Sequence, residues 1–356
     1  MSDLITITLP DGSAREYAAG TTAGDVARSI GRGLAKAAVA AAVDGEEYDL
    51  ERPLPDAAQV AIITDATPEG RHVLRHSTAH VMAQAVTQLF PGAKYSIGPA
   101  IENGFYYDFE LPGGRTFTEA DLEAIEARMR EIIKADQPFE RAEVPADEAI
   151  ALFADQPYKV EIIERVKAAH EAEDASGYEL DHGEVGGGDA ISIYRNSPEF
   201  LDLCRGPHVP TTSRLGHFKL QRVSGAYWRG NEKGPMLQRI YGTAWESEAA
   251  LKAHLQMLAE AEKRDHRRLA TDLDLLSFPS EIGGGLAVWH PKGAIVRKLM
   301  EDYSRQRHQD GGYEFVFTPH LTKQQLFETS GHLDWPPPPT STTSSGCSPT
   351  RSATIR

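Results

Sequence analysis

Cysteine is scarce: Cys204 and Cys347 are the two in 356 residues. That is too few for the disulfide framework of a secreted scaffold, so a reducing cytoplasm is the expected setting. No run of about 18 apolar residues occurs, which excludes a membrane-spanning helix. The start, Met1-Ser2-Asp3-Leu4, lacks the basic and apolar regions of a signal peptide. Positive charge is also short. Lys and Arg number 37 against 52 Asp and Glu, a formal charge of −15. This argues against wholesale coating of nucleic acid but leaves room for a local basic site. No internal repeat is present. What remains, 40% hydrophobic and 25% charged residues, is ordinary for a soluble globular chain long enough for several domains.

Residues 4–64 read as a small α+β unit. Leu4 to Thr8 alternate around Ile5 and Ile7, Pro10-Asp11-Gly12-Ser13 is a turn, and Thr22 with Asp25 forms a capping pair. A second hairpin centres on Asp44-Gly45, and Val60 to Ile63 closes the unit as a strand. Two hairpins around a helix form a β-grasp pattern. Thr67-Pro68-Glu69 then opens a helix that runs to Phe90 and stops at Pro91-Gly92. An aromatic strand is expected over 101–108, a capped helix over 118–135, and shorter helices around 147–153 and 159–173. Strands and loops follow over 177–243, with a bend at Gly186-Gly187-Gly188. A charged helix is expected over 247–269. From Arg214 to Arg268 eleven Lys and Arg face six Asp and Glu, a local net of +5 that suits either a nucleic-acid contact or a solvated helix face. From Asp272 a further unit is expected, with a turn at Gly283-Gly284-Gly285, a helix over 293–309 and a strand at Tyr313–Thr318.

Two stretches carry chemistry. His76 and His80 are four residues apart on the helix, so they project from one face. Cys204 and His208 share that spacing, but Gly206-Pro207 between them forbids a regular helix. Four ligands of these types suit zinc. Histidine also titrates in the range that suits hydrolysis, and Cys204 beside His208 could serve as a nucleophile. His72 lies on the same row but is given no role. The triple glycine has no strand ahead of it in phosphate-loop register.

Six segments in order resemble bacterial threonyl-tRNA synthetases over residues 1 to 335: Arg75–His80 (RHSTAH), Gly98–Asp108 (GPAIENGFYYD), Asp202–Pro210 (DLCRGPHVP), Gly225–Gly230 (GAYWRG), Met236–Trp245 (MLQRIYGTAW) and Lys263–Arg267 (KRDHR). The resemblance implies a multidomain α+β chain. It has a β-grasp TGS domain at 1–64 and an editing domain at 65–245 that includes the second additional domain of threonyl- and alanyl-tRNA synthetases. A linker helix at 246–271 and the beginning of a class II antiparallel-sheet core at 272–335 follow. Trp289–Gly293 resembles the opening of that core. Tyr313–Pro319 resembles its motif 1, through which the family forms homodimers. The family core continues past the position of Trp335 and there uses ATP, Mg and Zn. Those sites are missing here, so ligation of threonine to tRNA(Thr) is expected to be absent. Pyrophosphate exchange with ATP in the presence of threonine would be the contrary result. The Pro- and Ser/Thr-rich segment 336–356 is expected to be a disordered, out-of-frame tail.

The resemblance also implies an editing pocket. Serine is threonine less one methyl group, which a binding site distinguishes by only about 1–3 kcal/mol. A second pocket that hydrolyses mischarged seryl-tRNA(Thr) supplies the rest and requires no cofactor. The family motif carries over His76, His80, Lys159, Asp202, Cys204 and His208. In this reading His76 orients or deprotonates water, Lys159 supplies charge or a proton, and Asp202 receives the substrate amino group. Cys204 and His208 shape a wall that rejects the methyl group. Tyr106 and Tyr107 are expected to stack on the terminal adenosine of the tRNA acceptor end. Zinc held by His76, His80, Cys204 and His208, and a catalytically silent tRNA-binding fragment, stay open as alternatives.

Overall fold

The computed structural model describes residues 4–171, 190–318 and 323–331. The expected bend at Gly186-Gly187-Gly188, the motif-ending Pro319, and the tail 336–356 lie outside the described residues. The chain divides into two compact units between Ala259 and Glu260.

The first unit opens with the expected pair of hairpins. Strands β1 (Leu4–Thr8) and β2 (Ala14–Ala18) pair antiparallel across a turn in which Asp11 accepts from the Ser13 N–H at 2.9 Å. Helix α1 (Ala23–Ile30) begins with a full capping box between Thr22 and Asp25, and α2 (Arg32–Ala37) follows it. Strands β3 (Ala38–Val43), β4 (Glu46–Tyr48) and β5 (Val60–Thr64) form a sheet in the order β4-β3-β5. Asp44 and Gly45 both take positive φ, 53° and 88°, as a two-residue hairpin loop requires. Ile7, Val26, Ala27, Ala41 and Val60 pack between helix and strands as a separate small core.

Helix α3 (Pro68–Leu89) is capped by the Thr67 hydroxyl and starts with proline. It is buried on more than its apolar face, with Arg75, Ser77, Thr78, His80 and Gln84 buried beside Val73, Leu74, Val81 and Met82. It packs on a sheet of β6 (Lys94–Tyr95), β7 (Ala100–Ile101), β8 (Gly104–Glu110), β12 (His217–Tyr227) and β13 (Met236–Trp245), ordered β12-β13-β8-β6 with β7 beside β8. The single strand expected over 101–108 is instead the short hairpin β7–β8, turned at Glu102-Asn103. Phe105, Tyr107 and Phe109 alternate onto the α3 side and join the main core with Met82, Ile240 and α4 (Glu119–Lys134), whose Ile125, Met129 and Ile132 are buried.

A second sheet, β9 (Glu140–Pro145), β10 (Ala190–Ser197) and β11 (Phe200–Leu203), has the order β11-β10-β9. Helices α5 (Ala146–Leu152) and α6 (Pro157–Glu171) belong to its core with Trp228 and Leu237. The charged helix expected over 247–269 is two: α7 (Glu248–Lys263) and α8 (His266–Asp272). Asp265 breaks it, because its side chain accepts from the Arg267 N–H and caps a new start.

In the second unit β14 (Leu276–Ser277) pairs with β15 (Val288–Trp289), followed by α9 (Pro291–Asp310) and α10 (Gln324–Thr329). Residues 313–318 do not form the expected strand and have no ladder partner among the described residues. A strand exists only beside a neighbour that takes up its backbone groups. No described helix is long and apolar enough to cross a membrane.

Candidate active site

The two halves of the His/Cys set meet. Helix α3 presents His76 and His80 on one row, with ring centroids 5.0 Å apart. Opposite, the chain leaves β11 and turns back through Cys204–His208. Gly206 takes φ of 79° and a cis peptide joins it to Pro207. A Cβ at Gly206 would lie 2.0 Å from the Tyr194 hydroxyl, so glycine alone fits there. The turn brings the His208 ring to 4.2 Å from His80 and 4.6 Å from His76. Cys204 Sγ lies 3.2 Å from His76 Nε2 and accepts from the Gly206 N–H at 3.1 Å. The four possible ligand atoms of His76, His80, Cys204 and His208 all lie within 4.8 Å of one another.

Beneath the imidazoles sits a buried ion pair. Asp202 Oδ1 pairs with the Lys159 ammonium, whose Nζ lies 2.6 Å away, and accepts a hydrogen bond from the Leu203 N–H at 2.8 Å. Its Oδ2 accepts from the Tyr107 hydroxyl at 2.6 Å and lies 3.4 Å from His80 Nδ1. That last approach lacks the alignment of a hydrogen bond, and His80 Nδ1 has no hydrogen-bond partner among the described residues. Lys159 and Asp202 are 1% and 0% exposed, deep enough that neither charge stands without the other. The Lys159 ammonium also faces the Tyr95 and Tyr107 rings, at 5.5 and 5.6 Å.

Burial keeps all three imidazoles neutral. It pushes His76 down to about 4, helped by the neighbouring His72 and Lys159 and opposed by Asp202. Burial, His76 and Lys159 hold His80 well below the usual range. Burial and the other two imidazoles do the same to His208. His76, partly exposed, is therefore a neutral base next to a buried ammonium.

All six residues carried over from the family motif thus lie in one cluster, and Tyr107 joins them through Asp202. Tyr106, expected beside it, sits on the opposite face of β8. There Arg239 covers its ring at 3.8 Å and Tyr241 packs at 5.8 Å. Adjacent strand residues cannot share a face. Four further residues shape the pocket. Ser77 Oγ bonds His208 Nδ1 at 3.0 Å and accepts from the Val209 N–H at 3.1 Å. Phe139 stacks on the His208 ring at 4.7 Å. Asp49 accepts from the His208 N–H at 2.9 Å and from the Tyr194 hydroxyl at 2.6 Å. Ser77 was visible inside the RHSTAH segment; nothing local to Asp49, Phe139 or Tyr194 marks them.

Comparison with known proteins relates the chain to a family of translation enzymes. Residues 5–64 match the TGS domain, and residues 191–241 match the threonyl and alanyl tRNA synthetase second additional domain. The threonine–tRNA ligase of Magnetococcus marinus is 51% identical over 335 residues, 93% of this chain and 48% of that protein. That of Thermobifida fusca is 54% identical over 322 residues, 90% of this chain and 48% of that protein. The Parafrankia sp. enzyme is 55% identical over 300 residues, 84% and 45% of the two chains. The chain is a homologue of the threonine–tRNA ligases. It matches their N-terminal portion and spans about half the length of the curated relatives. Relative to these ligase domains, Asp202, Cys204 and His208 belong to the second additional domain, and Asp49 belongs to the TGS domain. The His76/His80 helix lies between the two matched segments.

Proposed function

We propose that this pocket is a hydrolytic site that removes serine from mischarged tRNA(Thr). The carrying observation is the buried Lys159–Asp202 pair set against neutral imidazoles in a homologue of threonine–tRNA ligases. Water adds to the ester carbonyl, the bond to the ribose oxygen breaks, and serine leaves as its carboxylate. A neutral His76 orients the water and takes its proton. The Lys159 ammonium stabilises the developing oxyanion or protonates the departing ribose oxygen. Asp202 has both oxygens engaged, so its part is to aim Lys159 and Tyr107. Reception of the substrate amino group by Asp202 requires Lys159 to give way. Cys204 and His208 form the wall that rejects a methyl group. Tyr107 borders the reacting ester, and the tRNA acceptor end is the partner. Threonine ligation is the activity for which the relatives are named. It is not part of this proposal, because the chain matches only half their length.

The test is release of serine from seryl-tRNA(Thr) by catalytic amounts of the protein. Many equivalents released, and loss of release in His76→Ala, support hydrolysis. A plateau at one equivalent makes the chain a binding module instead.

A second reading has its own observation. His80 Nδ1 and His208 Nε2 have no hydrogen-bond partner among the described residues, and the Cys/His₃ donors are closely gathered. Donors of a tetrahedral zinc site lie about 3.3–3.8 Å apart for bond lengths of about 2.0–2.3 Å. His76, His80, Cys204 and His208 therefore fit the ion after a small contraction. A bound zinc would polarise a water or carbonyl there. Metal analysis of the purified protein, and the effect of a chelator on serine release, separate the two readings.

A further inference from the structure

Asp49 lies just past β4, in the TGS module, between Tyr48 and the buried Leu50 that anchors the turn in that module's own core. Its carboxylate leaves the module. One oxygen accepts from the backbone N–H of His208 at 2.9 Å, and the other accepts from the Tyr194 hydroxyl at 2.6 Å. Tyr194 in turn stands edge-on to the His208 ring at 4.5 Å, with its hydroxyl over Gly206. One side chain thus holds the turn at His208 directly and at Gly206 through Tyr194. A second tie from the same module is looser: Glu46 approaches Arg205 at 3.5 Å, and both are exposed. Lys159, Asp202 and His76 make no bond to Asp49. They stand on α6, β11 and α3.

We propose that Asp49 is a positioning residue of the hydrolytic pocket, clamping the Cys204–His208 loop in the arrangement that separates serine from threonine. This rests on the deacylation proposed above. It makes the TGS module a structural part of the pocket wall. Releasing the clamp loosens the wall, which carries Cys204 and His208, on the side opposite the Ser77 bonds and the Phe139 stack. It leaves the Lys159–Asp202 pair and His76 where they are. Discrimination should therefore fall further than hydrolysis itself.

The experiment compares the full chain with Asp49→Ala and Asp49→Asn. Asparagine keeps an acceptor for the His208 N–H and a group that bonds the Tyr194 oxygen. Thermal melting shows that each variant is folded. Two readouts follow. The first is the ratio of seryl-tRNA(Thr) to threonyl-tRNA(Thr) hydrolysis. The second is the rate at which iodoacetamide alkylates Cys204, read on the Cys204 peptide because Cys347 is a second thiol. In Asp49→Ala the seryl-to-threonyl ratio is expected to fall about tenfold, the equivalent of about 1.4 kcal/mol, and Cys204 alkylation to rise by a similar factor. Asp49→Asn should stay close to the parent in both. Unchanged alkylation in Asp49→Ala overturns the clamp. Faster alkylation with an unchanged ratio overturns its role in discrimination, as does an equal fall in both rates. A parent that hydrolyses neither ester sinks the deacylation reading, and alkylation still decides the clamp.

Discussion

The Lys159–Asp202 pair is where single residues decide most. Each charge is buried and compensated by the other, so removing one strands its partner. Lys159→Met is expected to cost about 3–5 kcal/mol of stability, while the double variant Lys159→Met with Asp202→Leu recovers most of it. Neither should release serine, so urea melts and the deacylation assay together separate folding from chemistry. His76 makes a prediction about pH. Burial holds its folded pKa at about 4, below the 6.5 of an exposed imidazole. Between those values the unfolded chain takes up a proton that the folded chain refuses, so stability falls as pH drops through that window. The loss from His76 alone is on the order of 3 kcal/mol, complete once both states are protonated below about pH 4. Urea unfolding from pH 7.5 to 4.5 should show a shallower decline in His76→Gln than in the parent. An equal decline in the two proteins would contradict the neutral, partly buried imidazole. The acid limb of serine release should likewise fall near pH 4, not near 6.5.

At the scale of elements, close approach by glycine links the sheet to the pocket. A Cβ at Gly98 would lie 2.0 Å from the Tyr107 ring, whose hydroxyl is bonded to Asp202. Gly98→Ala is therefore expected to displace Tyr107 and cut serine release about a hundredfold. Thr67→Ala, which uncaps α3 and removes the hydroxyl's bond to the Thr64 carbonyl, should cost about 1–2 kcal/mol of stability and leave release nearly unchanged. Chemical melts and the deacylation assay read both. These elements also show what was legible before the fold was known. The caps of α1, α3 and α4 and the Asp44-Gly45 turn obey rules confined to a few residues, and each appears as expected. The split of α7 from α8 was legible in principle, since Asp265 is a capping residue in the middle of a charged run. The strand expected over 313–318 was not, because its existence depends on neighbours that sequence pattern does not supply. The same division holds inside the pocket. His76, His80, Cys204 and His208 were visible through spacing, and Lys159 and Asp202 through family motifs. Asp49 acts across 159 positions and stands in another module, where its residue type is commonplace.

For the whole molecule, the division between Ala259 and Glu260 separates two kinds of surface. All three hydrophobic clusters, and every residue of the pocket, belong to the first unit. The second unit exposes its apolar side chains. On α9, Ile295, Leu299 and Tyr303 recur at four-residue intervals, flanked by Val296 and Met300, and each is more than half exposed. Val316 and Phe317 are 81% and 92% exposed. A stripe with helical period is the pattern of a buried face, and left in water it drives association. The full chain is therefore expected to self-associate with rising concentration. A chain ending at Lys263, the last residue of α7, keeps all three cores. It should remain monomeric, melt cooperatively, and release serine at the rate of the full chain. Light scattering across a concentration series, paired with the deacylation assay, checks both halves. Loss of activity in the shorter chain would mean that residues beyond Lys263 support the pocket. Equal association in the two chains would move the sticky surface into the first unit. Replacing Leu299 and Tyr303 with Glu in the full chain discriminates further, since it should abolish association and leave serine release unchanged.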